Sequence, residues 1–111
     1  MPLLNISTNK EIKNEQSLLA KSSVFISGLL NKPENFVMVK LNDSLNMYFS
    51  GTNEPCCFIE IKSIGALDPS KMSKSISDFF SAEMEISSQR IFINFQNVDS
   101  HMWAWDGRTF G

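Results

Sequence analysis

Residues 2–8 read Pro-Leu-Leu-Asn-Ile-Ser-Thr, a stretch in which apolar and polar side chains alternate after a proline. In an extended chain this period of two places Leu4, Ile6 and Thr8 on one face and the residues between them on the other. The pattern predicts a first β-strand with one buried face. Pro2 stands at the beginning of that strand, where a residue without a backbone N–H is tolerated.

Two later segments carry apolar residues at helical spacing. The first, over residues 14–31, has Asn14 as a candidate N-cap and Pro33 as a stop signal. The second begins at Asp68 and Pro69, and a proline is well suited to the first turn of a helix. The apolar stripes are formed by Leu18, Phe25, Ile26, Leu29 and Leu30 in the first helix and by Met72, Ile76, Phe79, Phe80 and Met84 in the second.

Alternating apolar residues predict three further strands, over residues 36–41, 58–64 and 91–95. A short edge strand is expected at residues 47–49. Asp106 and Gly107 stand between two residues of high β-propensity, and an Asp-Gly pair in that setting is a signal for a two-residue hairpin turn. We therefore expect a small β-hairpin around this pair.

The order strand, helix, strand occurs twice along the chain. It predicts an α+β fold with a single domain over residues 1–111: a two-layer sandwich in which two β-α-β halves form a four-stranded mixed sheet, with both helices on one face and short edge strands added. The helices would cover only one sheet face, yet the strands carry apolar residues on both faces, as in Phe58-Ile59 and Ile91-Phe92-Ile93. That second face requires a cover, and association of subunits would supply one.

The composition narrows the class of partner. The chain has 42% hydrophobic residues and a formal net charge of −2, so it has no basic field to attract nucleic acid or an anionic membrane. No stretch is apolar over the length of a membrane span, and the first residues lack the pattern of a secretory signal. We expect a cytoplasmic protein with neither nucleic acid nor membrane as partner, and non-classical secretion stays open.

The thiols and the single imidazole do not indicate a metal or disulfide site. Cys56 and Cys57 are adjacent, a spacing unsuited to an unstrained disulfide and too poor in ligands for a tetrahedral zinc site. His101 is the only histidine, and one imidazole cannot form a ligand cluster. We expect no metal.

Pro2 directly follows Met1, so removal of Met1 would leave a secondary amine at the head of the first strand. An ordinary amine is mostly protonated at neutral pH and cannot accept a proton. Burial in an apolar pocket, and a nearby cation such as Lys32, would lower the pKa of this amine. The rigid ring would also fix the direction of its lone pair. Pro2 is therefore a candidate general base.

Several motifs that are spread along the chain together indicate a known protein family. They are Pro2-Leu3-Leu4, Asn31-Lys32-Pro33, Glu54-Pro55-Cys56, Lys62-Ser63-Ile64-Gly65, Arg90-Ile91-Phe92-Ile93-Asn94 and Trp105-Asp106-Gly107-Arg108-Thr109-Phe110-Gly111. In these motifs the chain resembles the family of macrophage migration inhibitory factor and D-dopachrome tautomerase, within the tautomerase superfamily. The resemblance extends over the whole chain.

The resemblance implies a homotrimer with active sites between subunits and a cofactor-free keto-enol tautomerase. Its substrates would be small aromatic α-keto acids such as phenylpyruvate, or the quinone dopachrome. Pro2 would be the catalytic base, Lys32 would pair with the substrate carboxylate, and the backbone N–H of Ile64 would donate to the substrate. Asn94 would reach the pocket from a neighbouring subunit. Without the family, Lys32 is typical of a helix C terminus and Asn94 of a strand residue that satisfies local backbone.

The expected pocket wall is aromatic. Its members are Phe36, Phe92, Trp103, Trp105 and Phe110. Phe36 and Phe92 stand where many family members have tyrosine, so a phenolic hydroxyl is missing at each position. Trp103 stands where the mammalian factor has a smaller aliphatic residue. These departures put substrate preference and rate in question, but they do not change the chemistry of the base.

Other functions stay open on the sequence. One is a cytokine-like protein that binds a host receptor and keeps a vestigial pocket, and another is a trimeric domain with a different substrate. The mammalian factor carries a Cys-x-x-Cys pair, whereas Cys56 is followed here by Cys57 and Phe58. An oxidoreductase role is therefore not carried over.

Overall fold

The first strand lies in the interior of the sheet in the computed structural model, which describes residues 1–111. Strand β1 (Leu3–Thr8) pairs in parallel with β2 (Met38–Asn42) and antiparallel with β3 (Cys57–Ser63). Strand β4 (Ile91–Asn97) pairs in parallel with β3, which gives the order β2-β1-β3-β4. The predicted four-stranded mixed sheet is confirmed.

Both predicted helices are present, and their ends follow the capping residues. Helix α1 spans Glu15–Leu30, and the Asn14 side chain accepts a hydrogen bond from the Ser17 N–H at 3.4 Å. Asn31, with φ of 53°, ends this helix in the left-handed region. Helix α2 spans Pro69–Met84 and begins directly after Asp68.

The two helices pack on the same face of the sheet and enclose the core with it. Phe25 of α1 stacks on Phe79 of α2, with ring centroids 4.1 Å apart. The buried cluster draws mainly on both helices and on β1, β3 and β4, and consists of Leu4, Ile6, Leu18, Ile26, Leu30, Cys57, Ile59, Ile61, Ile76, Phe80, Met84, Ile86 and Ile91. The period of two in residues 2–8 thus sets which side of β1 faces the helices.

The other face of the sheet, which we call the open face, is polar along its middle. The cross-strand rows on this face are Met38–Leu3–Lys62–Gln96, Lys40–Asn5–Glu60–Asn94 and Asn42–Ser7–Phe58–Phe92. Asn5 Nδ2 donates to Glu60 Oε2 at 2.9 Å, and Asn42 Nδ2 donates to Asn5 Oδ1 at 3.2 Å. Apolar side chains are confined to the outer rows, where Phe92 is 61% exposed.

The predicted edge strand at residues 47–49 is wrong. The structure has only an isolated bridge between Phe49 and Thr52, because no other strand of the chain runs alongside this segment. The loop is instead fixed by Arg90, whose guanidinium donates to the carbonyls of Phe49 at 3.0 Å and Glu54 at 2.9 Å. The guanidinium carbon also lies 5.2 Å from the Phe49 ring centroid.

Strand boundaries differ from the predictions by one or two residues. Phe36, expected in a strand, belongs to a short 3₁₀ turn over Glu34–Phe36, and β3 begins at Cys57 rather than Phe58. The hairpin is formed by β5 (Ala104–Trp105) and β6 (Arg108–Thr109). Asp106 and Gly107 both have positive φ, 50° and 80°, as the expected turn requires. No helix has the length and apolarity needed to cross a membrane.

Candidate active site

A cavity of about 810 Å³ opens at one end of the sheet, where β1 and β2 begin and β3 and β4 end. The β5–β6 hairpin forms its far side. Its lining residues are Met1, Pro2, Leu3, Asn35, Phe36, Val37, Met38, Lys62, Gln96, Asn97, Val98, Asp99, Met102, Trp103, Ala104, Trp105 and Phe110. The size and the mainly apolar lining are typical of a small-molecule pocket.

Pro2 lies in the wall of this cavity and is less than 2% exposed. Its carbonyl accepts a hydrogen bond from the Met38 N–H at 3.1 Å, which extends the pairing of β1 with β2 beyond the strand itself. Pro2 has no backbone N–H to satisfy, so its burial leaves no donor unpaired. The fold thus holds this residue at a fixed place.

The chain's amino group belongs to Met1, which also lines the cavity. Burial is the main cause that lowers the pKa of this amine below its ordinary value, and the nearby charge of Lys32 lowers the pKa further. Both effects disfavour the ammonium form. The entrance of β1 is therefore an environment that favours a neutral amine.

Lys32 and Ile64 come together although they are far apart in sequence. The half-buried Lys32 ammonium donates to the Ile64 carbonyl at 3.5 Å, a long contact at the edge of hydrogen-bond range. The N–H of Ile64 has no acceptor within the chain. The chain therefore leaves this N–H unpaired.

The loop after β3 is held in place by Asn97. The Gly65 N–H donates to Asn97 Oδ1 at 2.8 Å, and Gly65 takes a positive φ of 71° that favours glycine. Asn97 itself lines the cavity. The loop that carries Ile64 is thus tied to the end of β4.

The aromatic wall is assembled from the turn before β2 and the hairpin. Phe36 meets Trp105 edge to face, with ring centroids 5.4 Å apart and an interplanar angle of 83°. Phe36 also meets Phe110 at 6.4 Å and 89°. The Phe110 N–H donates to the Trp103 carbonyl at 3.0 Å, which joins the last residues to the start of the hairpin. These four residues form one rim of the cavity.

Phe92 and Asn94 lie outside the cavity of their own chain. Both are on the open face of β4, and Phe92 packs against Phe49 with ring centroids 4.7 Å apart. Asn94 is exposed, and its side chain makes no hydrogen bond within the chain. Within one chain the cavity therefore brings together Pro2, Phe36, Trp103, Trp105 and Phe110. Phe92 and Asn94 are absent from its lining, and so are Lys32 and Ile64.

Two polar lining residues, Lys62 and Asn97, carry no role in the sequence analysis. Lys62 lies in β3 and pairs in register with Leu3, the residue after Pro2. The signal that would have found Lys62 is the antiparallel pairing of β1 with β3. Leu3 and Lys62 are 59 positions apart in the sequence, so no local pattern predicts that they pair.

The structure places both cysteines in the interior. Cys57 packs in the core with its Sγ 3.9 Å from Met84 Sδ, and Cys56 is also buried. Burial, and after it the neighbouring Cys56, raises the pKa of the Cys57 thiol to about 12. This thiol is therefore protonated at neutral pH and is a weak nucleophile.

Taken together, the fold and the cavity define a two-layer α+β domain whose amino terminus opens into an aromatic pocket. The sequence model for macrophage migration inhibitory factor (MIF) matches residues 1–111. The chain belongs to the macrophage migration inhibitory factor family, which is part of the tautomerase superfamily.

Individual relatives agree with this assignment along their whole length. The macrophage migration inhibitory factor homolog of Brugia malayi is 31% identical over 119 residues, which cover 100% of this chain and 100% of that protein. The homolog of Trichinella spiralis is 29% identical over 114 residues, covering 99% of this chain and 100% of its own.

Solved structures of the family superpose closely. The macrophage migration inhibitory factor homologue from Prochlorococcus marinus is 38% identical with a TM-score of 0.92, covering 98% of this chain and 99% of that one. The factor from Trichinella spiralis is 27% identical, also with a TM-score of 0.92, and covers 97% of this chain and 99% of its own. The observed topology is thus that of the family.

The burial of the cysteines leads to a prediction. In the folded protein, an aromatic disulfide reagent at mildly alkaline pH should react with Cys56 and Cys57 only as fast as the chain opens, because both thiols are buried and Cys57 stays protonated. The release of the coloured thiolate measures the rate. Both thiols should react at once in guanidinium, which serves as the control. Rapid labelling of the folded protein would contradict the buried position of the two cysteines.

Proposed function

We propose that the protein is a cofactor-free keto-enol tautomerase in which the secondary amine of Pro2, freed by removal of Met1, is the general base. The observation that carries this proposal is the buried position of Pro2 in the wall of the aromatic cavity, at the end of the chain where burial, and after it Lys32, lowers the pKa of the Met1 amine. A base near its working pH transfers protons most effectively. An amine in this environment is suited to that task.

Removal of Met1 would move the amine one residue deeper. The terminal nitrogen would then belong to Pro2, whose side chain is almost fully buried, whereas Met1 is half-buried. Desolvation would continue to disfavour the ammonium form there. The ring closes through the same nitrogen and would hold the lone pair in one direction toward the cavity.

The proposed reaction moves one proton within the substrate. The Pro2 nitrogen takes the proton of the enol hydroxyl or of the carbon next to the carbonyl, and the resulting ammonium returns it to the other atom. Negative charge develops on the substrate oxygen between the two transfers. The ammonium of Lys32 and the unpaired N–H of Ile64 would stabilise that charge. No electrons are gained or lost.

The cavity favours a flat aromatic substrate with a carboxylate. Phe36, Trp105 and Phe110 offer ring faces and edges to an aromatic body, and Lys32 would pair with an anionic group. Phenylpyruvate combines both features, and dopachrome is the second candidate of this class. Because Phe36 has no hydroxyl, orientation would depend on the lysine and on backbone donors.

We further propose that the working form is a homotrimer in which Asn94 serves the cavity of a neighbouring copy. Asn94 has a free side-chain amide on the open face, and Phe92 beside it is 61% exposed. Phe92 packs on Phe49 and is in register with Phe58, and an exposed apolar patch with a polar rim is typical of an association surface. This arrangement would cover the open face and complete each pocket with a donor.

The proposed base leads to a direct test. Pro2→Gly, with Met1 still removed, should lower kcat/KM for phenylpyruvate tautomerisation about a hundredfold or more, because the rigid secondary amine is replaced by a flexible primary one. Absorbance of the enol measures the rate, and intact mass establishes the processing of each sample. Circular dichroism should be unchanged.

The unmutated protein provides the matched control for this test. Molecules that retain Met1 have an amide nitrogen at Pro2, and should be as inactive as the variant although their side chains are identical. Equal turnover in the processed protein and in Pro2→Gly would contradict the proposal. No turnover by correctly processed protein would instead favour the cytokine-like binding protein.

The shared site leads to a second prediction. Asn94→Ala should lower kcat/KM about a hundredfold if it removes a donor to the developing charge, whereas Asn46→Ala, at an exposed loop position, should have no effect. Refolding a mixture of Pro2→Gly and Asn94→Ala chains should then give activity above that of either variant alone. In a mixed trimer, some pockets combine Pro2 from one chain with Asn94 from the other and are therefore intact. Absence of any recovery in verified mixed trimers would contradict a site formed by two copies.

A further inference from the structure

Lys62 is a cation in the cavity wall that has no partner. It is half-buried, and its ammonium makes neither a hydrogen bond nor a salt bridge within the chain. Lys10, Lys21, Lys71 and Lys74, in contrast, each have a carboxylate within salt-bridge distance. An ammonium that lines a mainly apolar cavity and has no counterion within the chain is a ready site for an anion.

We propose that Lys62 binds a second anionic group of the substrate, so that the pocket selects aromatic keto acids with two negative charges. This inference rests on the proposed tautomerase function and names its substrate class. Lys62 would determine specificity and would take no part in the proton transfer.

The fold gives Lys62 a well-defined position. It lies in β3 between Leu3 of β1 and Gln96 of β4, in register with both. Its side chain is therefore carried by an interior strand, next to the strand that begins with the proposed base. Sites on interior strands are held more precisely than sites on loops.

The two lysines near the cavity are separated in function by their surroundings. Lys32 contacts the Ile64 carbonyl, does not line the cavity, and is the lysine whose charge lowers the pKa of the amino terminus. Lys62 lines the cavity directly. A substrate that places its keto-acid end between the amine and Lys32 would leave Lys62 for a group elsewhere on the molecule.

The only carboxylate in the cavity lining does not cancel this cation. Asp99 is exposed, and it is not within salt-bridge distance of Lys62. Solvent and salt screen the charge of an exposed carboxylate such as Asp99, which weakens its effect on a cation that it does not contact. The wall around Lys62 therefore favours an anion.

The test compares phenylpyruvate with para-carboxyphenylpyruvate, which adds one carboxylate to the ring. The unmutated protein should prefer the dianion in kcat/KM, and Lys62→Gln should reduce that preference about tenfold, since a hydrogen bond to a charged group is lost. Lys62→Arg should keep the preference because the charge remains. Lys13→Gln is the matched control, as Lys13 is an exposed lysine before α1, outside the cavity and away from the open face.

Binding gives a readout that does not depend on turnover. The chain has two tryptophans, Trp103 and Trp105, and both line the cavity, so quenching of their fluorescence reports ligand binding. If neither compound is turned over, the tautomerase proposal fails, and the ratio of the two Kd values still decides the role of Lys62. A preference unchanged by Lys62→Gln, or an equal loss for both compounds, would overturn the inference. Equal loss would mean that Lys62 binds the keto-acid carboxylate itself.

Discussion

Strand β1 is hydrogen-bonded on both sides, in parallel to β2 and antiparallel to β3, and this pairing determines where the chain's amino terminus lies. Because β1 is an interior strand, its first residues lie inside the body of the fold. Alternation along β1 puts Leu4 and Ile6 into the core and Leu3 on the open face beside Lys62. The cavity, the buried position of Pro2 and the order of the sheet all depend on this one pairing.

The charges around the cavity follow from the same arrangement. Lys32 comes from the turn after α1 and reaches the loop after β3, so its charge lies near the amino terminus and helps lower the pKa of the amine. Lys62 comes from β3 and stands unpaired in the lining. Both cations would favour an anionic substrate, but Lys32 alone acts on the amine. Burial and the charge of Lys32 together favour the neutral amine that a general base requires.

Much of this fold could be predicted from local sequence, because local rules govern its helices and turns. The N-cap at Asn14, the helix start at Asp68 and the turn at Asp106 and Gly107 are each determined by a few adjacent residues. The prediction of an edge strand at residues 47–49 was wrong because a strand needs a partner strand, and no local pattern shows whether a partner strand passes nearby. Lys62 was missed for the related reason that strand register is a non-local property. Asn94 was predicted as a site residue only from the family resemblance. A single chain gives no reason for an unpaired asparagine on the open face.

The central claim is that the fold makes the amine of Pro2 a neutral base, and nitrogen NMR of protein with labelled proline and without Met1 tests it most directly. Among four prolines, only Pro2 would have an amine rather than an amide nitrogen, so its signal stands apart and can be followed with pH. The account predicts a pKa below that of an ordinary N-terminal proline, with a smaller difference in Lys32→Gln. A pKa equal to or above the ordinary value in correctly processed, folded protein would contradict it.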